Sequence, residues 1–410
     1  MRIGIIHVGA PAGGMNAATR AAVAYCNVRG HTPVALHNGF PGLCRHHEDK
    51  PLGAVREFDW VDVEGWSSKG GSEIGTNRGL PSEDLKMTAY CFEKYKLDAL
   101  FVIGGFEAFT AVSELRVARK DYDAFKIPMA IIPATISNNV PGTEYSIGSD
   151  TCLNALIDYC DTLKQSASAS RRRVFVVETQ GGATGYVATM AGLAIGAVAV
   201  YTPEEGITLK MIQRDIEMIG RQFGKDAGQN RSGKLILRNE KASKTYTTEV
   251  VAEIIDKEAG KLFDCKFAVP GHVQQGGTPS PMDRVRAVRF GVKTLQHLET
   301  FAGKSKDEIT KDELSTTIIG IRGAKVVFSP MERVEREETD WKNRRPKNEF
   351  WMTMIDTVDM LSGRPKRADD PSLMRIGEGA GSKGDLHRKR AELEHEVQRL
   401  NDALQLGSTA

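Results

Sequence analysis

The chain has 410 residues, 40% hydrophobic and 26% charged, with a formal net charge of +2. That length suits two or three packed α/β domains, and the composition is that of a folded protein, which excludes a single small module and a disordered chain. A near-neutral balance excludes general attraction to nucleic acid or membrane, so an anion must be held by locally placed cations.

In chain order, RIGIIHV (2–8), DALFVIGG (98–105), MAIIPAT (129–135), RVFVVET (173–179) and KLILRNE (234–240) are short, nearly continuous apolar runs. They have the pattern of parallel strands covered on both faces. Helix-length segments lie between them at 15–28, 82–95, 106–119, 148–166, 183–195 and 207–223. Such alternation predicts a doubly wound α/β fold with ligands at the carboxyl ends of the strands. A small polar break near 167–172 marks passage into a second layer, STTIIGIRGAKVVFSP (315–330) reads as a late strand pair, and 344–361 as a loop entering a packed helix.

The expected organisation is a larger α/β subdomain over 1–168, a second over 169–315, a return segment over 316–361, a Gly-rich linker over 362–384 and a helix over 385–406. That last helix carries an apolar seam of Leu386, Leu393, Val397, Leu400 and Leu404, which suits docking on the body or a partner, or a frayed surface helix. Cys26, Cys44, Cys91, Cys152, Cys160 and Cys265 show no CxxC or metal-ligand spacing, as expected of reduced thiols. The opening MRIGIIHVGAP lacks the regions of a signal peptide, and there is no apolar run of about 18 residues. The expectation is a cytoplasmic protein with neither nucleic acid nor membrane among its partners.

Three loops could carry chemistry. After the first run, Gly9, Gly13 and Gly14 in HVGAPAGGMNAATRAA permit a tight turn into a helix, either a structural turn or a phosphate cradle; neither the GxGxxG nor the P-loop pattern is matched. In VIGGFEAFTAV, Gly104 and Gly105 reach a strand end where Glu107 is the only carboxylate, a helix-start residue or a thin magnesium ligand. The third loop, in IPATISNNVPGTEYSIGSD, holds hydroxyls and amides from Thr135 to Asn139 and no carboxylate. Cations are scattered at Arg78, Arg171 to Arg173, Lys266, Arg344 and Arg345. In GHVQQGGTPSPMDR an imidazole and two amides among glycines form a donor set for a sugar or phosphate, or a polar turn.

Taken in order, GAPAGGMNAATR, GGSEIGTNR, VIGGFEAF, PATISNNVPGTEYSIGSDTCLN, RRRVFVVETQGG, LILRNEK and GHVQQGGTPSPMDR closely resemble the ATP-dependent 6-phosphofructokinase family, over about residues 2–360. The resemblance implies a phosphofructokinase-like α/β fold, two Rossmann-like subdomains with mostly parallel sheets covered by helices on both faces. Within the family the chain resembles the C-terminal, regulatory half of a eukaryotic, fungal-type glycolytic enzyme whose subunits arose by duplication. It implies as partners a catalytic N-terminal half, which uses Mg²⁺ and ATP, and a homo- or hetero-oligomer. No cofactor is implied for this half itself.

The chain departs from the family's catalytic pattern at its acids. Catalytic members carry a GTIDND-type loop whose first Asp is the base and whose second assists the metal site; Ser137 and Asn139 stand there. Phe106 replaces the Asp of GGDGS, and Pro11 the Asp of GGDAPGMN. Loss of a general base alone costs roughly 10²- to 10⁴-fold, so negligible kinase activity is expected. Gly9, Gly104, Gly105 and Phe106 then outline a degenerate nucleotide cleft.

By the same resemblance, the sugar-phosphate pocket binds the activator fructose 2,6-bisphosphate. Arg78 matches a phosphate-binding Arg, while Thr135, Ser137, Asn138 and Asn139 supply donors where acids stood. Gln180, Gly181 and Gly182 match the sugar-side turn, Glu240 a carboxylate on sugar hydroxyls, His272 and Gln275 the far wall, and Arg344 a cation for the other phosphate. Arg173 matches an Arg from a neighbouring subunit, and Lys266, where the family usually has Arg, is its expected companion. Two rivals are an autonomous kinase, with Glu107 holding Mg²⁺ and Ser137 or a water replacing the base, and a purely structural assembly half without ligand.

Overall fold

Every residue of β1 (Arg2–Val8) after the first is buried. Its Ile3 and Ile5 enter one core cluster and its Ile6 and Val8 the other, as a side-chain period of two requires. The strand is thus covered on both faces, and it lies in the middle of its sheet. The computed structural model describes residues 1–45, 54–225 and 233–364, all within one compact unit.

β2 (Thr32–Leu36), β3 (Val55–Glu57), β4 (Ala99–Gly104) and β5 (Met129–Pro133) build the first sheet around β1. The second sheet comprises β6 (Arg173–Thr179), β7 (Ala199–Tyr201), β8 (Lys234–Asn239) and β9 (Asp264–Ala268), ordered β7-β8-β6-β9 and parallel throughout. The chain then returns to the first sheet with β10 (Thr316–Arg322) and β11 (Lys325–Pro330), giving the order β11-β10-β5-β4-β1-β2-β3. Only its two edge strands, β3 and β11, run antiparallel to their neighbours.

Helices cover both sheets: α1 (Met15–Arg29), α2 (Gly39–Cys44), α3 (Leu85–Lys94), α4 (Phe106–Ala118), α5 (Ser149–Ala169), α6 (Tyr186–Ile195), α7 (Leu209–Lys225), α8 (Thr248–Ala259) and α9 (Pro281–Glu299). α1 is rich in alanine, and Gly291 of α9 comes so near that a Cβ there would stand 3.0 Å from the Ala18 carbonyl oxygen. α5 carries Cys152, Leu156 and Cys160 into the core of the second sheet. The late helix Met352–Ser362 joins that core through Trp351 and Val358.

The apolar runs and intervening helices occur within a few residues of their expected places, and the late strand pair is present. β2, β3, β7 and β9 are additions. Pro33 and Ala35 mask β2, which lacks a long β-branched run, and the edge strand β9 exposes Lys266 and Phe267 and so shows no burial pattern. The expected linker beyond residue 364 and the helix at 385–406 lie outside the described residues. Among the described residues no helix is long and apolar enough to cross a membrane. The six cysteines are unpaired, and burial pushes the thiols of Cys26, Cys152 and Cys160 up to about 12.

Candidate anion site at the strand ends

The chain leaves β1 toward β2 on one side, while β4 pairs on the other. A crevice opens at the carboxyl ends of strands around such a switch point. Its nucleotide-like side is built by close backbone approach. Gly9 has φ +106°, and its N–H donates to the Asn77 carbonyl at 2.8 Å. A Cβ on Gly104 would stand 1.8 Å from the Val8 carbonyl oxygen, so only glycine fits. Asn77 also holds Arg78 at this end of β1, exposed and without a side-chain partner among the described residues.

This side is filled by the chain's own groups. Arg344 pairs with Glu107 at 2.8 Å and lies 5.3 Å from the centre of the Phe106 ring. Phe106 packs in turn on Phe109 and Trp341. On the α1 face of β1, His7 is fully buried, with its ring nitrogens 2.7 Å from the hydroxyls of Ser72 and Thr19. Burial, then the nearby His37, lowers its pKa to about 3, so its ring is neutral. For magnesium with a triphosphate the fit is poor: the strand end offers one carboxylate, already neutralised by a guanidinium, whereas the ion needs an octahedron of oxygens.

The sugar-side wall keeps polar groups available. Ser137 and Asn139 follow β5; the Ser137 carbonyl accepts from the Thr184 hydroxyl at 2.6 Å, and the Asn139 amide donates to the Arg344 carbonyl at 3.1 Å. Thr135 is nearly buried, and its hydroxyl accepts from the Ser137 N–H at 3.3 Å. Those bonds draw the loop against Gly181 and Gly182, whose φ values of +140° and +58° form the turn after β6. Glu240, exposed at the end of β8, accepts from the Gly182 N–H at 2.9 Å. Gln275 adds a buried side-chain oxygen with no partner. His272, on the same short turn, is exposed.

Several expected residues take other positions. Asn138 is 2% exposed with φ +50°; its amide donates to the Glu144 carbonyl and its oxygen accepts from the Ser146 N–H, both at 2.6 Å. Its side chain braces the loop and is not an open donor. Arg344 reaches the crevice, but its guanidinium is engaged by Glu107. Arg173 stands opposite Asp264, ion-paired at 2.8 Å, and Lys266 stands opposite Phe175. Arg173 is seven residues before Gln180, roughly 23 Å along the strand at about 3.3 Å per residue, so it does not meet its own chain's crevice.

Other residues hold the wall, of which Arg345 was expected only as a scattered cation and Gln274 only within the GHVQQ donor set. Gln274, 1% exposed, accepts from the Gln180 N–H at 2.9 Å. Glu204 accepts from the Gly185 N–H at 2.8 Å and the Trp351 indole at 3.1 Å, with Arg345 3.6 Å away. Arg345 also donates to the Ala183 carbonyl at 3.0 Å. Arg238, buried behind Glu240, binds the carbonyls of Tyr246 and Ser243 and pairs with Glu178. The paired amides of Gln274 and Gln275 were a sequence signal; the Glu204 cluster, assembled from distant segments, had none.

The crevice is thus bordered by two strand-end loops, one glycine-rich and one bearing hydroxyls and amides. The phosphofructokinase model matches residues 2–298, and the chain belongs to the phosphofructokinase family. It is 66% identical over 367 residues to an ATP-dependent 6-phosphofructokinase of Aspergillus fumigatus, covering 89% of this chain and 45% of that protein. Against the 6-phosphofructokinase beta subunit of Komagataella phaffii it is 52% identical, covering 88% of this chain and 39% of that one. The phosphofructokinase structure from Saccharomyces cerevisiae superposes with a TM-score of 0.83 at 49% identity, over 88% of this chain and 47% of that chain. The chain thus spans less than half the length of these relatives.

Proposed function

We propose that this chain is the effector-binding, C-terminal half of a fungal-type 6-phosphofructokinase, taking fructose 2,6-bisphosphate in the strand-end crevice. Phosphoryl transfer in this reading belongs to a catalytic N-terminal half that uses Mg²⁺ and ATP. The observation that carries it is the neutral loop: Ser137 sits beside the Gly182 turn on which Glu240 accepts, and Asn139 beside Arg344, where transfer to an alcohol would need a positioned base. Carboxylates there would repel a second phosphate; a hydroxyl and an amide donate to it.

Arg344 is engaged by Glu107 in the described conformation, but the pair is half-exposed on the arginine side. Exchanging a pair worth less than about 1 kcal/mol for a phosphate is a small cost. Arg173 and Lys266 would serve a neighbouring copy's crevice, which couples ligand binding to assembly because the ligand favours the arrangement that gathers both sets of cations.

Incubation of the purified chain with Mg-ATP and fructose 6-phosphate tests the catalytic part: no ADP above the blank is expected, and metal-dependent ADP release overturns it. Arg173→Ala tests the assembly part. It should weaken fructose 2,6-bisphosphate binding in calorimetry while leaving the melting temperature unchanged; unaltered affinity refutes the assignment.

A further inference from the structure

At the amino ends of β5 and β10, the opposite end of the sheet from the crevice, lies a cavity of about 760 Å³. Seven of its lining residues are Arg or Lys and three are acidic. Some of these cations are already satisfied: Lys126 pairs with Asp123 at 2.7 Å, and Arg333 and Arg336 share Glu337 at 3.1 and 2.8 Å. Three groups are not. Lys120 and Lys311 are exposed at the rim with no ion-pair partner among the described residues. Arg116, though paired with Glu335 at 2.7 Å, keeps a buried Nε without a partner.

Arg119 points to an anion independently of the rim. It is 5% exposed, yet it donates only to neutral acceptors: the Phe125 carbonyl at 3.0 Å, the Ser315 hydroxyl at 2.8 Å, the Ser315 carbonyl at 3.4 Å and the Ile127 carbonyl. Burial, then the neighbouring Arg116, lowers its pKa to about 10. A guanidinium taken from water without a counter-charge is costly, and the negative end of α4 together with three carbonyls offsets only part of that cost.

We propose that this cavity is a second anion site, separate from the strand-end crevice, which binds a small polyphosphate with Lys120 and Lys311 at its rim and Arg119 at its floor. Three lining cations, Lys120, Lys311 and Arg119, have no carboxylate partner among the described residues, a charge that matches roughly two phosphate groups at −1.5 to −2 each. The cavity also exceeds what a single inorganic phosphate fills. The site is independent of the bisphosphate reading, since it shares no residue with the crevice.

The probe is inorganic tripolyphosphate, titrated calorimetrically into the full chain in EDTA. The wild type is compared with Lys120→Glu/Lys311→Glu and with the crevice variant Arg78→Ala. Both lysines are exposed, and thermal melting verifies that the variants fold. The expected isotherm contains a saturable component that weakens at least tenfold in the double variant and persists in Arg78→Ala. Absence of saturable binding, or an isotherm in which the double variant retains every wild-type component, overturns the proposal.

Discussion

The two sides of the crevice are filled in opposite ways. On the glycine-rich side, Phe106 and Arg344 occupy the space and Glu107 is neutralised from within the chain. On the sugar side, Ser137 places its hydroxyl beside the Gly182 turn, the Asn139 amide meets the Arg344 carbonyl, and the Gln275 oxygen is unpaired. Whether a strand end is closed or open therefore depends on whether an aromatic ring and a cation, or small neutral groups, occupy it.

The largest test of that contrast strikes the support of the sugar side. Glu204→Ala leaves two donors, the Gly185 N–H and the Trp351 indole, without an acceptor, and Arg345 with Glu349, 2.7 Å away, as its remaining carboxylate. It should cost about 3 kcal/mol in urea unfolding, since each buried donor left unpaired costs roughly 1–3 kcal/mol; a loss below about 1 kcal/mol would mean the wall stands without this cluster. The neutral ring of His7, on the α1 face of β1, gives the next effect. His7 binds its proton near pH 3 when folded and near the ordinary 6.5 when unfolded, so its contribution is present above pH 6.5 and is lost as pH falls. Between pH 7 and pH 5 it should remove about 2 kcal/mol. Denaturation at both pH values should show a shallower dependence for His7→Gln.

Smaller effects sharpen the comparison. Ser137→Asp returns a charge to the sugar side and should weaken fructose 2,6-bisphosphate at least tenfold, about 1.4 kcal/mol, without releasing ADP from Mg-ATP; unchanged affinity in calorimetry would place the ligand elsewhere. Glu107→Gln removes the ion pair on the other side. Because Arg344 is half-exposed, thermal melting should register less than about 1 kcal/mol, and a larger loss would show that this cleft is held by charge and not by its aromatic packing.

β1, β4 and β5 were legible because burial on both faces writes a continuous apolar run, and their loops because glycines and hydroxyls cluster where such runs stop. β9 was not, since an edge strand can expose Lys266 and Phe267. Within the site, the positions of Ser137, Gly182 and Glu240 were readable, but the commitment of Asn138 was not: an asparagine bracing its own loop has the same letter as one facing a ligand. Gln274 meets Gln180 across 94 residues and Glu204 meets Trp351 across 147, separations over which no local pattern operates. Arg344 matched a phosphate-reaching position in sequence, and only the folded chain reveals Glu107 as its present partner.

Thermal unfolding of the full chain across a fructose 2,6-bisphosphate titration, in EDTA, tests the central claim most directly. Binding to the native state alone stabilises by about 2.7 kcal/mol at a hundredfold excess over Kd, so the account predicts a melting temperature that rises and keeps rising with the logarithm of ligand concentration. A melting temperature unmoved by millimolar ligand would contradict it.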